Sequence, residues 1–249
     1  MKNRLTNMMN VYEYYKNKLN HQAQQIYEGL LANIRSLAFE GFAVLQGKYD
    51  DAVFKDAKQA YKALRLDRPE YFFLGHRFNI RYSSNGDLTI RHQMKYSKNH
   101  ILRINRIMRN TVKELLKDIK SLSDKEKEKK IYLSVGSTYE YKNGPYSHDL
   151  VGILVFKNGV CESLASMLAV LLREAGIPSI VVTGIGKRER HRWNKVWIDN
   201  TEYNLDVTWD MHNCKFGLDL KYYNLTNNQM ARDHQQVDFC TGRPVREER

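Results

Sequence analysis

Residues 159–178 decide the fold, and they read GVCESLASMLAVLLREAGIP. Four leucines recur along this stretch at spacings of three and four, namely Leu164, Leu168, Leu171 and Leu172. That spacing places them on one side of a helix over 161–175. Gly176 followed by Pro178 is a strong helix stop signal. The stretch therefore predicts a helix that begins at a cysteine and ends just before Gly176.

Three strands are predicted directly after this helix. Runs rich in β-branched and aromatic side chains occupy 179–183, 193–198 and 203–207, and Asp199-Asn200 fits a hairpin turn between the last two. A helix followed by successive hairpin-connected strands is typical of an α+β fold. We expect the cysteine-bearing helix to pack on an antiparallel sheet.

The chain upstream of the cysteine predicts helices and one β-hairpin. An apolar stripe predicts a first helix, on the residues Ile26, Leu30, Leu31, Ile34, Leu37 and Ala38. The first 65 residues are predicted to be helical apart from a break over 41–51, which a shorter helix over 53–64 follows. The aromatic run 71–82 and the alternating run 88–94 flank a turn cluster at 83–87 and predict a hairpin.

Two further helices are predicted before the cysteine. A basic helix is expected over 98–120, and Ser123 with Glu126 resembles a capping box that starts the next helix towards Val135. The predicted organisation is an N-terminal helical region (1–68), a hairpin with basic helices (69–135) and a catalytic core (136–249), packed as one compact unit.

Composition and charge exclude several classes of protein. With 42% hydrophobic and 27% charged residues among 249, the chain is not a disordered protein, and it has no apolar run of the roughly 20 residues that a membrane helix needs. Three cysteines without a CxxC motif form no disulfide framework, and no secretory signal is visible. We expect a cytoplasmic protein, with a leader removed before Met1 as the alternative. The oligomeric state stays open.

The net charge of +12 is concentrated in one region. Residues 71–130 hold 15 Lys and Arg against 6 Asp and Glu. The basic region is interpreted as a solvated surface, with selection of an acidic peptide or protein as the alternative. No zinc-finger spacing or helix-turn-helix pattern accompanies it, so a nucleic-acid partner is not expected.

Cysteine, histidine and aspartate follow one another in an order that suits nucleophilic catalysis. Peptide dipoles at a helix start favour a thiolate on Cys161, a neighbouring imidazole can pair with it, and a carboxylate can orient that imidazole. His191 opens the second predicted strand and Asp206 lies on the third, similarly distant from the turn, so they are expected to lie opposite each other. These features alone are about equally compatible with a catalytic site and with three residues that have only structural roles.

Cofactor and metal sites are not predicted. Gly184-Ile185-Gly186 lacks the third glycine and following helix of a dinucleotide loop. His212 and Cys214 could bind a metal, but no second ligand pair accompanies them. We therefore expect no metal and no organic cofactor.

Four sequence blocks resemble the core of the transglutaminase-like superfamily of bacterial, papain-like cysteine enzymes. They are Gly159-Val160-Cys161, Leu171 to Pro178, His191 to Val196, and Asp206-Val207-Thr208-Trp209-Asp210. The resemblance implies a papain-like fold with Cys161 as nucleophile, His191 as base and acid, and Asp206 as orienting residue, with Asp210 as its alternative. Fainter similarity reaches Arg68 to Phe73 and a tail that includes Asp233-His234. Ser163-Leu164-Ala165 departs from the Gly-Tyr-Ala that bacterial relatives often show.

The resemblance implies acyl transfer or hydrolysis of a peptide or protein amide through a thioester on Cys161. A cysteine protease or amidase of the same fold is one alternative, and a non-catalytic protein-binding module with a vestigial triad is another. The backbone N–H of Cys161 is a candidate oxyanion donor. Tyr141 and His148 are weaker candidates, and Trp193 is expected to form core or cleft wall.

Overall fold

The computed structural model describes residues 11–35, 42–46, 50–82 and 87–245. It divides into two compact units, and the division falls between Leu102 and Arg103. One unit holds the described residues 12–102, and the other holds Val11 with residues 103–245. The predicted three-region division, with boundaries at 68 and 135, stays a prediction.

The unit 12–102 contains two helices and a three-stranded antiparallel sheet. The helices are α1 (His21–Arg35) and α2 (Asp51–Asp67), and the strands are β1 (Phe42–Gln46), β2 (Leu74–Tyr82) and β3 (Asp87–Met94). The strand order is β1-β3-β2. The predicted stripe of α1 is buried from Ile26 to Ile34, and α1 packs against α2. The β2–β3 hairpin confirms the predicted one.

The predicted break over 41–51 contains a strand at 42–46 that the sequence did not predict. This segment is β1, which pairs antiparallel with β3 from Phe42 against Arg91 to Gln46 against Asp87. The partner strand lies more than forty residues away in the chain, and tertiary pairing of this kind overrides local preference. Predictions that fall on Leu37, Ala38 and the turn residues 83–86 lie outside the described residues.

The other unit is built around a four-stranded antiparallel sheet. Its strands are β6 (Ser179–Gly186), β7 (Glu189–Ile198), β8 (Thr201–Leu205) and β9 (His234–Gln236), in the order β8-β7-β6-β9. The helix α5 (Cys161–Glu174) packs on β6 and β7. The Asn194 side chain of β7 joins the two layers, because its amide donates to the Ala165 carbonyl of α5 at 2.9 Å. The predicted α+β class is confirmed.

The described residues also form four further helices and one small parallel pair of strands. They are α3 (Lys98–Leu115), which crosses the division, α4 (Asp124–Thr138), β4 (Glu140–Tyr141), β5 (Asn158–Gly159), α6 (Val207–Phe216) and α7 (Asn227–Met230). α3 ends earlier than the predicted Lys120. The predicted capping box of α4 is present, with the Ser123 N–H donating to Glu126 Oε2 at 2.8 Å. None of the described helices is long and apolar enough to cross a membrane.

The third predicted strand is correct at its start and wrong at its end. β8 stops at Leu205, and Asp206 is the N-cap of α6. The Asp206 Oδ1 atom accepts the backbone N–H groups of Thr208 at 3.0 Å and Trp209 at 3.4 Å. A carboxylate that satisfies these donors favours a helix start over strand continuation. The predicted Asp199-Asn200 turn is present, with positive φ at both residues, as a two-residue hairpin requires.

Candidate active site

Cys161 is the first residue of α5, and its surroundings are fixed by hydrogen bonds to the preceding loop. The Val160 N–H donates to the Ser147 carbonyl at 3.1 Å, and the Ser163 hydroxyl donates to the same carbonyl at 2.6 Å. A Cβ added at Gly159 would collide with that hydroxyl. The helix start at Cys161 is therefore tied to the loop at Ser147, and only glycine fits at 159.

His191 lies on β7 and contacts both of the other predicted catalytic residues. Its Nε2 donates to Asp206 Oδ2 at 2.7 Å, and the ring interacts electrostatically with Cys161. Since Nε2 faces Asp206, Nδ1 is the nitrogen left for the sulfur. The structure thus brings Cys161, His191 and Asp206 together in one chain of contacts.

The charge environment of His191 favours the imidazolium form. Burial lowers the pKa of His191, but hydrogen bonds and charges from Asp206 and Cys161 outweigh burial and raise it to about 9. An imidazolium that persists through neutral pH can pair with a thiolate and later donate a proton. This is the electrostatic arrangement that nucleophilic catalysis by cysteine requires.

Asp206 is a buried carboxylate with donors on both oxygens. One oxygen caps α6, and Oδ2 accepts from His191 at 2.7 Å and from His234 at 3.1 Å. Burial raises the pKa of Asp206, but hydrogen bonds from His191 and His234 outweigh it, so that the pKa is lowered. The carboxylate therefore stays ionised beside His191.

The contact between His191 and Asp206 does not arise in the way that the sequence suggested. β7 and β8 pair with Asn194 opposite Leu205. Continuing this register places position 208, not Asp206, across from His191. The expectation that the two residues lie opposite each other is therefore wrong by two positions. They still meet, because Asp206 directly follows the last residue of β8 and its Oδ2 lies 2.7 Å from His191 Nε2.

Asp210, the alternative orienting residue, has other partners. Its carboxylate accepts the Tyr132 hydroxyl at 2.8 Å and the backbone N–H groups of Lys221 and Tyr222, each at 2.9 Å. Asp210 is fully buried. These contacts connect α4 and α6 to the segment after α6, so Asp210 holds the fold while Asp206 contacts His191.

Two tryptophan rings lie beside His191. The Trp209 ring stacks at 5.0 Å between centroids, and the Trp193 ring lies at 6.3 Å. Trp193 is buried, and its indole N–H donates to Asn204 Oδ1 at 3.0 Å. Trp193 therefore forms core and wall, and its N–H is directed to Asn204 and not to a bound substrate.

The two weak oxyanion candidates differ in their surroundings. Tyr141 pairs with Gly159 through β4 and β5 and is 56% exposed. Burial, followed by the charges of Cys161 and Glu189, raises the pKa of Tyr141, so its phenol lies within electrostatic range of Cys161. His148 lies at the surface with its Nδ1 at 3.4 Å from Glu162. Of the two, Tyr141 is the better placed donor.

Glu162, next to the predicted nucleophile, was not predicted as a site residue. One of its oxygens lies 2.7 Å from the Arg192 guanidinium, and the other faces His148. Arg192 follows His191 in the chain. An ion pair between Glu162 and Arg192 therefore links the residue after the cysteine to the residue after the histidine. The spacing of these charges in the sequence gives no hint that they meet.

His234 was also missed as a site residue. The sequence placed it only in a tail that resembles the superfamily. It is buried, and its Nε2 lies 3.1 Å from Asp206 Oδ2 while its Nδ1 lies 2.6 Å from Asp233 Oδ1. β9 carries it to the site by pairing with β6. A three-residue strand gives no periodicity that could have predicted this pairing.

Three of these residues have the spacing of a metal site. Ligand atoms of His191, Asp206 and His234 lie within 4.8 Å of one another. Both imidazole nitrogens already face one carboxylate oxygen at hydrogen-bond distance. Hydrogen bonding therefore accounts for the arrangement without an ion.

Comparison with known proteins agrees with the sequence blocks. Residues 111–207 match the family model described as the transglutaminase-like superfamily. This range contains Cys161, His191 and Asp206. A search of curated proteins finds no match.

Similar solved structures are remote. A structure described as a TGase is 12% identical and covers 66% of this chain and 49% of its own, with a TM-score of 0.40. A provisionally assigned protease from Parabacteroides distasonis is 12% identical, and the match covers 68% of this chain and 39% of that protein, with a TM-score of 0.36. A provisionally assigned cysteine protease from Cytophaga hutchinsonii is 12% identical, and the match covers 53% of this chain and 61% of that protein, with a TM-score of 0.35. This chain thus spans less than two thirds of the length of each.

Proposed function

We propose that this protein, whose residues 111–207 match the family model of the transglutaminase-like superfamily, is a cysteine enzyme that acts on a peptide or protein amide. It transfers the acyl group to an amine, or to water, through a thioester on Cys161. The observation that supports this most directly is the position of His191, which donates to Asp206 Oδ2 at 2.7 Å and interacts electrostatically with Cys161.

The reaction follows from the roles of these three groups. The Cys161 sulfur attacks the amide carbon, and His191 donates a proton to the leaving amine, which yields the thioester. Water or a second amine then attacks the thioester while His191 accepts its proton, and the sulfur leaves as the thiolate. Asp206 keeps the imidazole oriented and stabilises its cationic form.

Two donors are proposed for the oxygen that becomes negative in each step. The backbone N–H of Cys161 lies at a helix N-terminus, where peptide dipoles favour negative charge. The Tyr141 phenol, held by the pairing of β4 with β5, is the second. A Tyr141→Phe variant should lower the turnover rate and leave binding unchanged, since only the charged intermediate needs this donor.

An acidic substrate is favoured by the basic face of α3. Arg103, Arg106, Arg109 and Lys113 are exposed and recur at helical spacing. These side chains lie in the same compact unit as Cys161. If they attract substrate, kcat/KM should fall as ionic strength rises. A rate constant independent of salt would contradict this part of the proposal.

The proposed chemistry can be tested by intact-mass spectrometry. The protein is incubated with glutamine-containing peptides and a primary amine. Amide formation raises the peptide mass by that of the amine less ammonia, whereas side-chain hydrolysis raises it by about one dalton and peptide-bond cleavage gives two fragments. Cys161→Ala should abolish every product. Cys214→Ala is the matched control, because Cys214 is a buried cysteine outside the site and should leave turnover unchanged.

Thiol labelling separates an enzyme from a binding module with a vestigial triad. Burial, followed by the charge of Asp210, raises the pKa of Cys214 to about 12, so this thiol should react slowly with iodoacetamide. Cys161, paired with His191, should react far sooner. Equally slow labelling of Cys161 and Cys214, together with no product in the mass experiment, would favour the binding module.

A further inference from the structure

A second histidine contacts the orienting carboxylate, and we propose that His234 is a positioning residue that holds Asp206 in the orientation His191 needs. The inference rests on the proposed function, since it assigns a role within the same site. Its basis is a continuous line of hydrogen bonds. Tyr222 donates to Asp233 at 2.7 Å, Asp233 contacts His234 at 2.6 Å, and His234 contacts Asp206 at 3.1 Å.

The donors around Asp206 explain why the second histidine matters. A carboxylate offers about four acceptor positions. Oδ1 of Asp206 uses its positions on two backbone N–H groups of α6, and Oδ2 receives His191 and His234. The side chain is 1% exposed, so water cannot replace a lost donor. Without His234, the carboxylate would keep its cap of α6 but lose a restraint on the oxygen that faces His191.

The ring of His234 is itself held on both edges. A carboxylate accepts hydrogen bonds and cannot donate them, so the ring contacts Asp206 through an N–H group. Asp233 Oδ1 fixes the Nδ1 edge, which leaves Nε2 directed at Asp206. The Trp209 ring lies 4.2 Å from the imidazole and the Trp193 ring 5.1 Å. Packing and hydrogen bonding therefore specify a single ring orientation.

His234 does not contact the reacting atoms in this arrangement. Its two nitrogens face Asp206 and Asp233, and the contact with Cys161 belongs to His191. It acts through Asp206 on His191, and through His191 on the sulfur. The expected signature is a change in Cys161 reactivity that depends on the donor reaching Asp206, and not on the volume of the side chain.

Two amide variants separate the donor from the packing. The amide nitrogen of His234→Gln takes the position of Nε2 and can still donate to Asp206. The amide nitrogen of His234→Asn takes the position of Nδ1, so it can donate to Asp233 but does not reach Asp206. The rate of Cys161 alkylation by iodoacetamide is measured at neutral pH for the wild-type protein and both variants, after circular dichroism has established that each is folded.

The wild-type rate and the His234→Gln rate should agree within about threefold. The His234→Asn rate should be about tenfold lower than the wild-type rate, because this variant loses a hydrogen bond to a charged group. Equal rates for the two variants would overturn the inference, whether both are fast or both are slow. A stoichiometric metal ion found by elemental analysis of the wild-type protein would also overturn it, because an ion would then join the three side chains.

A second variant keeps the inference testable if a His234 substitution fails to fold. Asp233 lies nearer the surface, with 27% of its side chain exposed. Asp233→Asn keeps an oxygen acceptor but loses its charge, and we expect alkylation of Cys161 to slow about threefold. An unchanged rate would contradict the role of the line through Asp233.

The experiment distinguishes this inference from the proposed function. Alkylation requires no substrate, so it reads the site directly. A wild-type Cys161 that reacts no faster than Cys214 would refute the ion pair and with it both proposals. A fast wild-type reaction with no contrast between His234→Gln and His234→Asn would refute only the role of His234.

Discussion

Replacing Asp206 by asparagine tests the electrostatic arrangement of the site with little disturbance of the fold. Asparagine is as good an N-cap as aspartate, so the backbone N–H groups at the start of α6 keep their acceptor. Asparagine has a single oxygen, so with the cap retained its NH2 group takes the position of Oδ2 and faces His191 Nε2. Asp206→Asn therefore removes the negative charge beside the imidazole and the acceptor of its Nε2 hydrogen bond.

The expected effect is a lower pKa of His191. In the wild-type protein burial lowers this pKa, but Asp206 and Cys161 raise it to about 9. A hydrogen bond to a charged group contributes about 1.5–3 kcal/mol, and Asp206→Asn loses this bond. That loss corresponds to about one to two pH units. The His191 midpoint should therefore fall from about 9 to between about 7 and 8.

The measurement is an NMR titration of the imidazole protons, with His191→Gln used to assign the resonance. Asp210→Asn is the matched control, since Asp210 is an equally buried aspartate that accepts from Tyr132 and not from His191. The control should leave the His191 midpoint near about 9. A midpoint unchanged in Asp206→Asn, or shifted equally in Asp210→Asn, would refute the reasoning.

The same change has a consequence for stability. The folded-state pKa of His191 is raised from 6.5 to about 9, by contacts that outweigh burial. Protonated His191 therefore stabilises the folded protein fully below about pH 6.5, and this contribution is lost as the pH rises through about 9. Across that window the free energy of unfolding should fall more in the wild-type protein than in Asp206→Asn.

Three further outcomes are expected from the packing around the site. Gly159→Ala should destabilise the protein by about 1–3 kcal/mol in urea unfolding, because the added methyl group has no room. Gly144→Ala is the control and should be neutral, because no atom lies within 4 Å of the added methyl group. Equal effects of the two changes would contradict the close packing at Gly159 before α5. Tyr132→Phe should cost about 1–3 kcal/mol, because Asp210 loses a buried donor at 2.8 Å, and an unchanged urea midpoint would count against it. Cys214 should resist alkylation until the protein unfolds, and fast labelling of the native protein would be inconsistent with its burial.

The elements that the sequence predicted best are those whose signals are local. The leucine spacing and the Gly176 stop predict α5, and Gly176 has the positive φ of 82° that such a stop requires. Ser123 predicts the start of α4 through its capping box. β1 and β9 were missed, because each is short and is defined by a partner distant in the chain. No local pattern carries that information.

The helix α6 was missed for a different reason. Its first residues, Val207-Thr208-Trp209, favour a strand by propensity, so the segment was interpreted as a continuation of β8. Two signals could have corrected this, namely a capping aspartate at 206 and a glycine at 217, which has a positive φ of 66°. The three residues predicted to carry chemistry meet, whereas Glu162 and His234 join them only through tertiary structure.

The two oxygens of Asp206 serve different purposes, and this limits what can be concluded from the residue that a selected variant retains at position 206. One oxygen starts a helix, so a library selected only for heat resistance would retain aspartate or asparagine there even in the absence of any activity. Survival of an acid at 206 is therefore weak evidence that a variant still reacts. Survival of His191, which begins no helix, would be far more informative.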